Sequence, residues 1–260
     1  MYSKTILLFF TILLLQGTAF AGRPLITDNA ETQGKGRSLV EFGFDYARDD
    51  DATSKAHRRL YGLEFDYGLT DNIDLTVSSG YQSMNTRNSE AAYSQEGITD
   101  TLLEIKWRFY DNGKGLGLAV KPALFLPTGN SDRGWGSGDY RFGTGEVRYR
   151  LNLVASQDFK HAAFHVNLGY LRNENRYGAR ENLWHASLAS ELKLFRQLRL
   201  VANVGMDTAP DIGSSVDSVW ALGGFIYSPT DALSFALGLK HGFNDPGYDF
   251  AVNSGVSYKF

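Results

Sequence analysis

The last stretch of the chain, Phe250 to Phe260, reads "FAVNSGVSYKF". Phe250, Val252, Ser254, Val256, Tyr258 and Phe260 fall on one parity, and Ala251, Asn253, Gly255, Ser257 and Lys259 fall on the other. Period-two alternation marks a strand with one apolar face. A strand that runs to an aromatic last residue leaves backbone donors and acceptors that only another strand can satisfy. In lipid such an open edge is prohibitive, so this strand is expected to pair with the first one and close a barrel.

The same texture recurs upstream. "SLVEFGFDY" sets Val40, Phe42, Phe44 and Tyr46 against Glu41, Gly43 and Asp45, and "LEIKWRFY" sets Leu103, Ile105, Trp107 and Phe109 against Glu104, Lys106, Arg108 and Tyr110. Alternating segments are expected near 38–46, 58–67, 72–82, 100–110, 116–126, 140–155, 162–172, 183–194, 198–207, 217–227, 232–243 and 250–260. The faces of 217–227 cannot be assigned, because "DSVWALGGFIY" is apolar on both parities. The segment 140–155 changes phase near Gly143 to Gly145, as at a bulge or a loop end.

The connections alternate in length. "ARDDDATSKAH", "SMNTRNSEAAYSQEGIT", "PTGNSDRGWGSGD", "NENRYGAREN", "TAPDIGSSV" and "NDPGYD" are long, whereas "GLTDN", "DNGKG", "SQDFKH", "FRQ" and "SPTD" are short. Short turns on one side, longer loops on the other and an even strand count are the pattern of outer-membrane barrels. Twelve strands over the chain from Gly22 onward give about 20 residues per strand and connection, which suits that architecture. The expected fold is therefore all-β, an antiparallel transmembrane β-barrel of about twelve strands. A soluble β-sandwich also gives each strand an apolar face. It does not explain the long and short alternation, nor the Tyr, Phe and Trp gathered near strand ends as at membrane interfaces.

The start of the chain agrees. Lys4, an apolar run from Ile6 to Leu15 and Ala19-Phe20-Ala21 form a secretory signal peptide over 1–21, with cleavage expected near Ala21/Gly22. The run is short for a spanning helix, which needs about 20 apolar residues. There is no Cys, so no disulfide framework is available. A net charge of −3 makes no electrostatic case for nucleic acid. Mean hydropathy is −0.27, and no 18-residue apolar run follows the signal.

Several segments resemble a known family. "GRPLITDNAETQGKGR" (22–37), "KPALFLPTG" (121–129), "NLGY" (167–170) and "GGFIYSPTDALSFALGLKHGFNDP" (223–246) are similar to outer-membrane transporters described under a MetA pathway of phenol degradation. The resemblance implies a channel for passive uptake or efflux of small, aromatic or hydrophobic, solutes. It brings no catalytic residues and no cofactor. It also implies a location in the Gram-negative outer membrane. The partners expected are the lipid bilayer, a small solute and the barrel-assembly machinery, which would read Val256, Tyr258 and Phe260.

If the apolar parity faces lipid, the other faces the lumen. Lumen-lining candidates are Glu64, Asp66, Asp74, Glu104, Lys106, Arg108, Lys121, Glu146, Arg148, Arg150, His165, His185, Glu191, Lys193, Arg199 and Lys240, together with Glu41, Asp45, Asp100, Asp207 and Lys259. The first three strands offer acids only, and the next three are richer in bases. Such segregation creates a field across a pore or a ladder of ion pairs that closes it. Residues 22–37 are read as a periplasmic leader or a lumen plug, the flexible leader being the plainer expectation for a chain terminus. The barrel domain is 38–260.

Two alternatives from other classes remain. One is a barrel enzyme acting on lipid, for which His165 and His185 on neighbouring strands are the acid–base or metal candidates. No HExxH or GxSxG pattern occurs. Ser187 lies two residues from His185, but residues i and i+2 on a strand sit about 7 Å apart, so no triad is expected. The other is a structural or adhesive barrel acting through its outer loops. The loop "TGNSDRGWGSGDYRFG", with Asp132, Trp135 and Asp139, is read as a turn-rich outer loop.

Overall fold

A computed structural model of the chain describes residues 22–50, 54–88, 92–131, 142–176, 178–244 and 248–260. The signal segment 1–21 and the loop residues Asp132, Trp135 and Asp139 lie outside the described residues. All regular elements among the described residues are strands: β1 (Ser38–Asp50), β2 (Ser54–Gly68), β3 (Ile73–Asn88), β4 (Ala92–Ile98), β5 (Thr101–Asp111), β6 (Leu116–Leu126), β7 (Arg148–Asp158), β8 (Ala162–Arg172), β9 (Asn182–Lys193), β10 (Leu198–Asp207), β11 (Ser218–Tyr227), β12 (Leu233–Gly242) and β13 (Phe250–Lys259). Every pairing is antiparallel between neighbours, and β13 pairs with β1 from Leu39↔Lys259 to Arg48↔Phe250. The last residue joins the seam: Ser38 N–H donates to the Phe260 carbonyl at 2.9 Å, and Phe260 N–H donates to the Ser38 carbonyl at 3.0 Å. The wall closes on itself through this seam and the β2–β3 pairing, so the main-chain groups of its paired strands are satisfied inside it, as lipid requires.

The wall is a closed, antiparallel, twelve-stranded barrel, because β4 and β5 share one position. Both pair with β3, β4 with Tyr81–Arg87 and β5 with Ile73–Ser78. The break falls at Thr99–Asp100, where Thr99 N–H still donates to the Gly80 carbonyl at 2.8 Å.

The expectation of long loops at 47–57 and 83–99 is corrected here. These stretches are mostly strand, and β1 to β4 continue as paired ribbons, for instance Asp50↔Lys55 and Thr86↔Tyr93. Their polar side chains hid the ladder, which needs only main-chain partners and opposite charges across the pair. The expected strand 140–155 also shifts: β7 begins at Arg148, and its pairing with β6 starts at Phe125↔Arg148. Gly145 has φ +72° and belongs to the loop end.

Outward residues are apolar and exposed. Leu63, Leu168, Leu239 and Val256 form part of this belt. Aromatic pairs sit near both rims, Trp107–Phe109 and Tyr258–Phe260 at the short-turn end and Tyr170–Trp184 at the long-loop end. Inward residues are mostly small, polar or charged, with β11 the main apolar exception, so the core is a largely polar lumen. Across β13, β1, β2 and β3 a row of Gly255, Gly43, Gly62 and Gly80 stands in register.

Candidate functional site

In the segment 22–37, residues 26–33 are hydrogen-bonded through their main chain to inward side chains of the wall, whereas Lys35 to Arg37 are exposed at the rim. The segment enters at the short-turn end, where Gly36 N–H donates to the Gly68 carbonyl at 2.8 Å. Gly34 (φ +86°) and Gly36 (φ +76°) turn the chain inward in a conformation that favours glycine. From there the main chain is held by wall side chains rather than by a ladder. Gln33 N–H donates to Asp74 Oδ2 (2.9 Å), and Ala30 N–H to Ser156 Oγ (2.8 Å). Ile26 and Thr27 N–H both donate to Asn203 Oδ1 (2.8 and 3.0 Å). Asn167 brackets Asp28, donating to its carbonyl at 2.9 Å and accepting its N–H at 2.7 Å. These wall residues come from β3, β7, β8 and β10, so the segment crosses the lumen and is anchored around its circumference.

Its charges match the uneven walls. Arg23 meets the acidic side, with Nη1 donating to Asp45 Oδ1 at 2.5 Å and Nε standing 3.3 Å from Glu41 Oε1. The guanidinium lies in the glycine row: a Cβ at Gly43 would come within 2.1 Å of its Cζ. Asp28 meets the basic side, 3.1 Å from Lys106 Nζ and in direct contact with Lys121 Nζ. Burial opposes ionisation of Asp28, but Lys106 and Lys121 outweigh it and hold this carboxyl well below the usual range. Glu31 behaves oppositely. Burial first, and then the Asp158 carboxylate, push it up to about 8 against Arg108, Lys259 and Lys106.

Apolar contacts complete the fit. Pro24 lies against Gly238, where a Cβ would come within 2.7 Å of it, and the neighbouring Leu222 is 3 % exposed. Trp220, Leu222 and Ile226 are the inward residues of β11, and Val219, Phe225 and Tyr227 its outward ones. The strand was unreadable because its inner face is apolar at the segment's side of the lumen.

The other sequence candidates fall into place around this segment. Lys121 also pairs with Glu104 (2.5 Å), which accepts a hydrogen bond from Arg150 Nη2 (2.6 Å). Arg148 pairs with Asp100 (3.1 Å), and Asp66 accepts the Thr76 hydroxyl. Glu64 stands opposite Glu41 in the β1–β2 register. Arg108 is at the short-turn rim with Asp111 (3.2 Å), and Lys193 is half-buried at the same end. Lys240 covers the Trp220 ring at 4.5 Å. Glu146 is the exception: it precedes β7 and pairs with Arg176 of the β8–β9 loop at 2.6 Å, so it is not an inward strand residue.

The two histidines anchor separate networks. His165 stands opposite Ala189 and His185 opposite Gly169, so the rings are staggered along the ladder. His165 Nδ1 is 2.8 Å from Ser156 Oγ, and its Nε2 is 3.5 Å from Glu191, which pairs with Arg199 at 2.7 Å. His185 corrects the expectation about Ser187. Its Nε2 lies 2.8 Å from Ser187 Oγ and its Nδ1 2.6 Å from Asp207 Oδ1. Side chains on one face lean together, so the Cα spacing did not limit the contact. Ser187 Oγ in turn accepts the Thr27 hydroxyl at 2.7 Å. Sequence reasoning passed over Arg23, Thr27, Ser156 and Asn203. The acid and base segregation of the walls was their one visible sign.

Two cavities of about 360 and 350 Å³ flank the segment, and Arg23, Glu41 and Glu64 line both.

The fold defines a transmembrane β-barrel of outer-membrane type. The family described as "Putative MetA-pathway of phenol degradation" matches residues 21–260, and the chain belongs to it. No curated protein sequence matches the chain significantly. Among solved structures, it is similar to an outer membrane channel from Pseudomonas putida F1, at 15 % identity and TM-score 0.70 over 94 % of this chain and 100 % of that one. The beta domain of the Bordetella autotransporter BrkA matches at 12 % identity and TM-score 0.61 over 87 % and 100 % of the two chains. The KdgM porin matches at 9 % and 0.53 over 85 % and 99 %. These likenesses are of fold.

Proposed function

We propose that the protein is an outer-membrane channel for small solutes, closed at rest by residues 22–33. The observation that carries this reading is the segment itself, anchored to β1, β3, β5, β6, β7, β8 and β10 between two cavities. Twelve strands give a bore between the filled eight-stranded barrel and the open sixteen-stranded porin. One extended peptide is enough to obstruct such a bore. Side-chain anchors, unlike a ladder, can release one at a time.

The reading places the short turns and both ends of the barrel domain in the periplasm, with signal cleavage near Ala21/Gly22. It takes small aromatic or hydrophobic compounds as the solute class, a choice supported by the family's description. It gives Ser187, His185 and Asp207 an anchoring role, since Ser187 Oγ accepts the Thr27 hydroxyl of the segment. Strand amides are committed to the ladder and leave no evident oxyanion donor.

The test is single-channel conductance of the refolded barrel with and without residues 22–33. Low conductance in the full chain and a large, steady conductance in the truncated one are expected. Equal conductance in both would overturn the plug, and silence in both would overturn the ion-conducting channel.

A further inference from the structure

The acidic wall beside Arg23 is under-neutralised. β1 and β2 present Glu41, Asp45, Glu64 and Asp66 inward, and Glu41 and Glu64 face each other directly across the pair. Like charges directly opposite are destabilising. Arg23 reaches Glu41 and Asp45, and Ser257 donates to Glu41 Oε2 at 2.7 Å. Asp66 has Thr76. Among the described residues, Glu64 makes no direct hydrogen bond or ion pair, and its cationic influences are Arg23 beside it and Lys121 across the lumen. Asn253 of β13 faces the same space but carries no charge and donates to Asp45 at 2.8 Å.

Gly22 stands at this place. A Cβ built on it would lie 3.0 Å from Glu41 Oε2. Its main-chain nitrogen is therefore at most about 5.5 Å from that oxygen, on a buried carboxylate that faces Glu64 in the strand register. While Gly22 is joined to Ala21, that nitrogen is a neutral amide with one hydrogen. Hydrolysis of the Ala21–Gly22 bond by a signal peptidase and one water leaves a carboxylate on Ala21 and an ammonium with three donors on Gly22. Charge-assisted hydrogen bonds are roughly twice as strong as neutral ones.

We infer that the ammonium group freed on Gly22 is a built-in ligand of the Glu41–Glu64 pair, so that removal of the signal peptide is what locks the segment into the lumen. The inference rests on the reading of 1–21 as a cleaved signal, and it goes beyond the plug by naming what sets it. The uncleaved chain lacks the charge. A barrel assembled before cleavage, or one whose amino group is blocked, holds its segment loosely.

The experiment uses the whole mature chain, started at Gly22 and refolded, beside the same chain acetylated selectively at the α-amine. Intact mass verifies both, and also establishes the first residue of protein extracted from outer membranes. The readout is hydrogen–deuterium exchange over residues 24–33, whose Ile26, Thr27, Ala30 and Gln33 amides are bonded to the wall. Acetylation is expected to speed exchange there at least tenfold and leave the wall strands unchanged. Glu41→Gln is expected to do the same, with little added by acetylating that variant. Unchanged exchange on acetylation, or a native first residue other than Gly22, overturns the inference. Faster exchange without any change in conductance upholds it and counts instead against the plug as a gate.

Discussion

Lys106 on the barrel wall donates to Asp28 of the crossing segment at 3.1 Å, although 78 positions separate them in the chain. Lys121 meets the same carboxylate from the next strand, so one acid holds two bases of the wall. A hydrogen bond to a charged group contributes about 1.5–3 kcal/mol. Asp28→Asn removes the charge and leaves Lys121 with Glu104 alone. The open fraction in planar bilayers should rise at least about tenfold, since ~1.4 kcal/mol is tenfold in an equilibrium. Heat-modifiable mobility on gels, which reports the barrel, should stay as in the parent. An open fraction equal to the parent's would show that the basic wall does not hold the segment.

Docking should also weaken as pH rises through the neutral range. Inside the lumen Glu31 keeps its proton up to about 8, because it is buried and faces Asp158, with Arg108, Lys259 and Lys106 as the opposing cations. Released, it would lose that proton near the ordinary Glu value of ~4.3. The docked state thus binds more protons between roughly pH 5 and 8, so stability of docking falls across that window as pH rises, by at most about tenfold per pH unit. Asp28 does not oppose this. Its value is held low, so its contribution is complete above ~4 and is lost only as pH falls further. Open probability should therefore climb from pH 5 to 8 in the parent and be flat in Glu31→Gln. A slope that survives this substitution would assign the effect to another group.

The glycine row makes a steric prediction. A Cβ at Gly43 would lie 2.1 Å from both Cζ and Nε of Arg23, a separation no side chain tolerates. Gly43→Ala should lift Arg23 from Glu41 and Asp45, raising conductance while the barrel still folds. Gly223→Ala is the control, because a Cβ there meets nothing within 4 Å. If both variants conduct like the parent, Arg23 does not hold the plug.

Much of the barrel was legible because lipid on one side and a polar lumen on the other impose strict alternation. The bounds of β6, β8 and β10 agree with the pattern read from the chain. The pattern failed where that two-solvent rule lapses. At the upper parts of β1 to β3 the outward face turns polar while Ala47, Ala56 and Met84 are buried within, so the apolar-outward alternation vanishes although the ladder continues. In β11 both parities are apolar, because Trp220, Leu222 and Ile226 face inward beside Pro24 rather than water. The crossing segment has no period at all. Its placement depends on single contacts such as Thr27 with Asn203, 176 positions apart, which no local spacing can announce. Only the opposed charges of the two walls hinted that something carrying both signs, here Arg23 and Asp28, lay between them.

The seam between β13 and β1 separates assembly from conduction. Val256, Tyr258 and Phe260 point outward and are exposed, with the Tyr258 and Phe260 rings 6.2 Å apart, so none of them touches the lumen. The Phe260 main chain already closes the ladder with Ser38, and a side-chain truncation leaves those two bonds intact. Phe260→Ala should therefore not alter the conductance of barrels that have formed. It should lower the yield of folded barrel in the outer membrane severalfold, if the exposed aromatic terminus is what the assembly machinery reads. Quantitative blotting of folded and unfolded bands in membranes, beside bilayer recordings of the purified variant, separates the two. Normal membrane yield would dismiss the assembly signal, and altered conductance would mean that the seam, not the segment, shapes the pore.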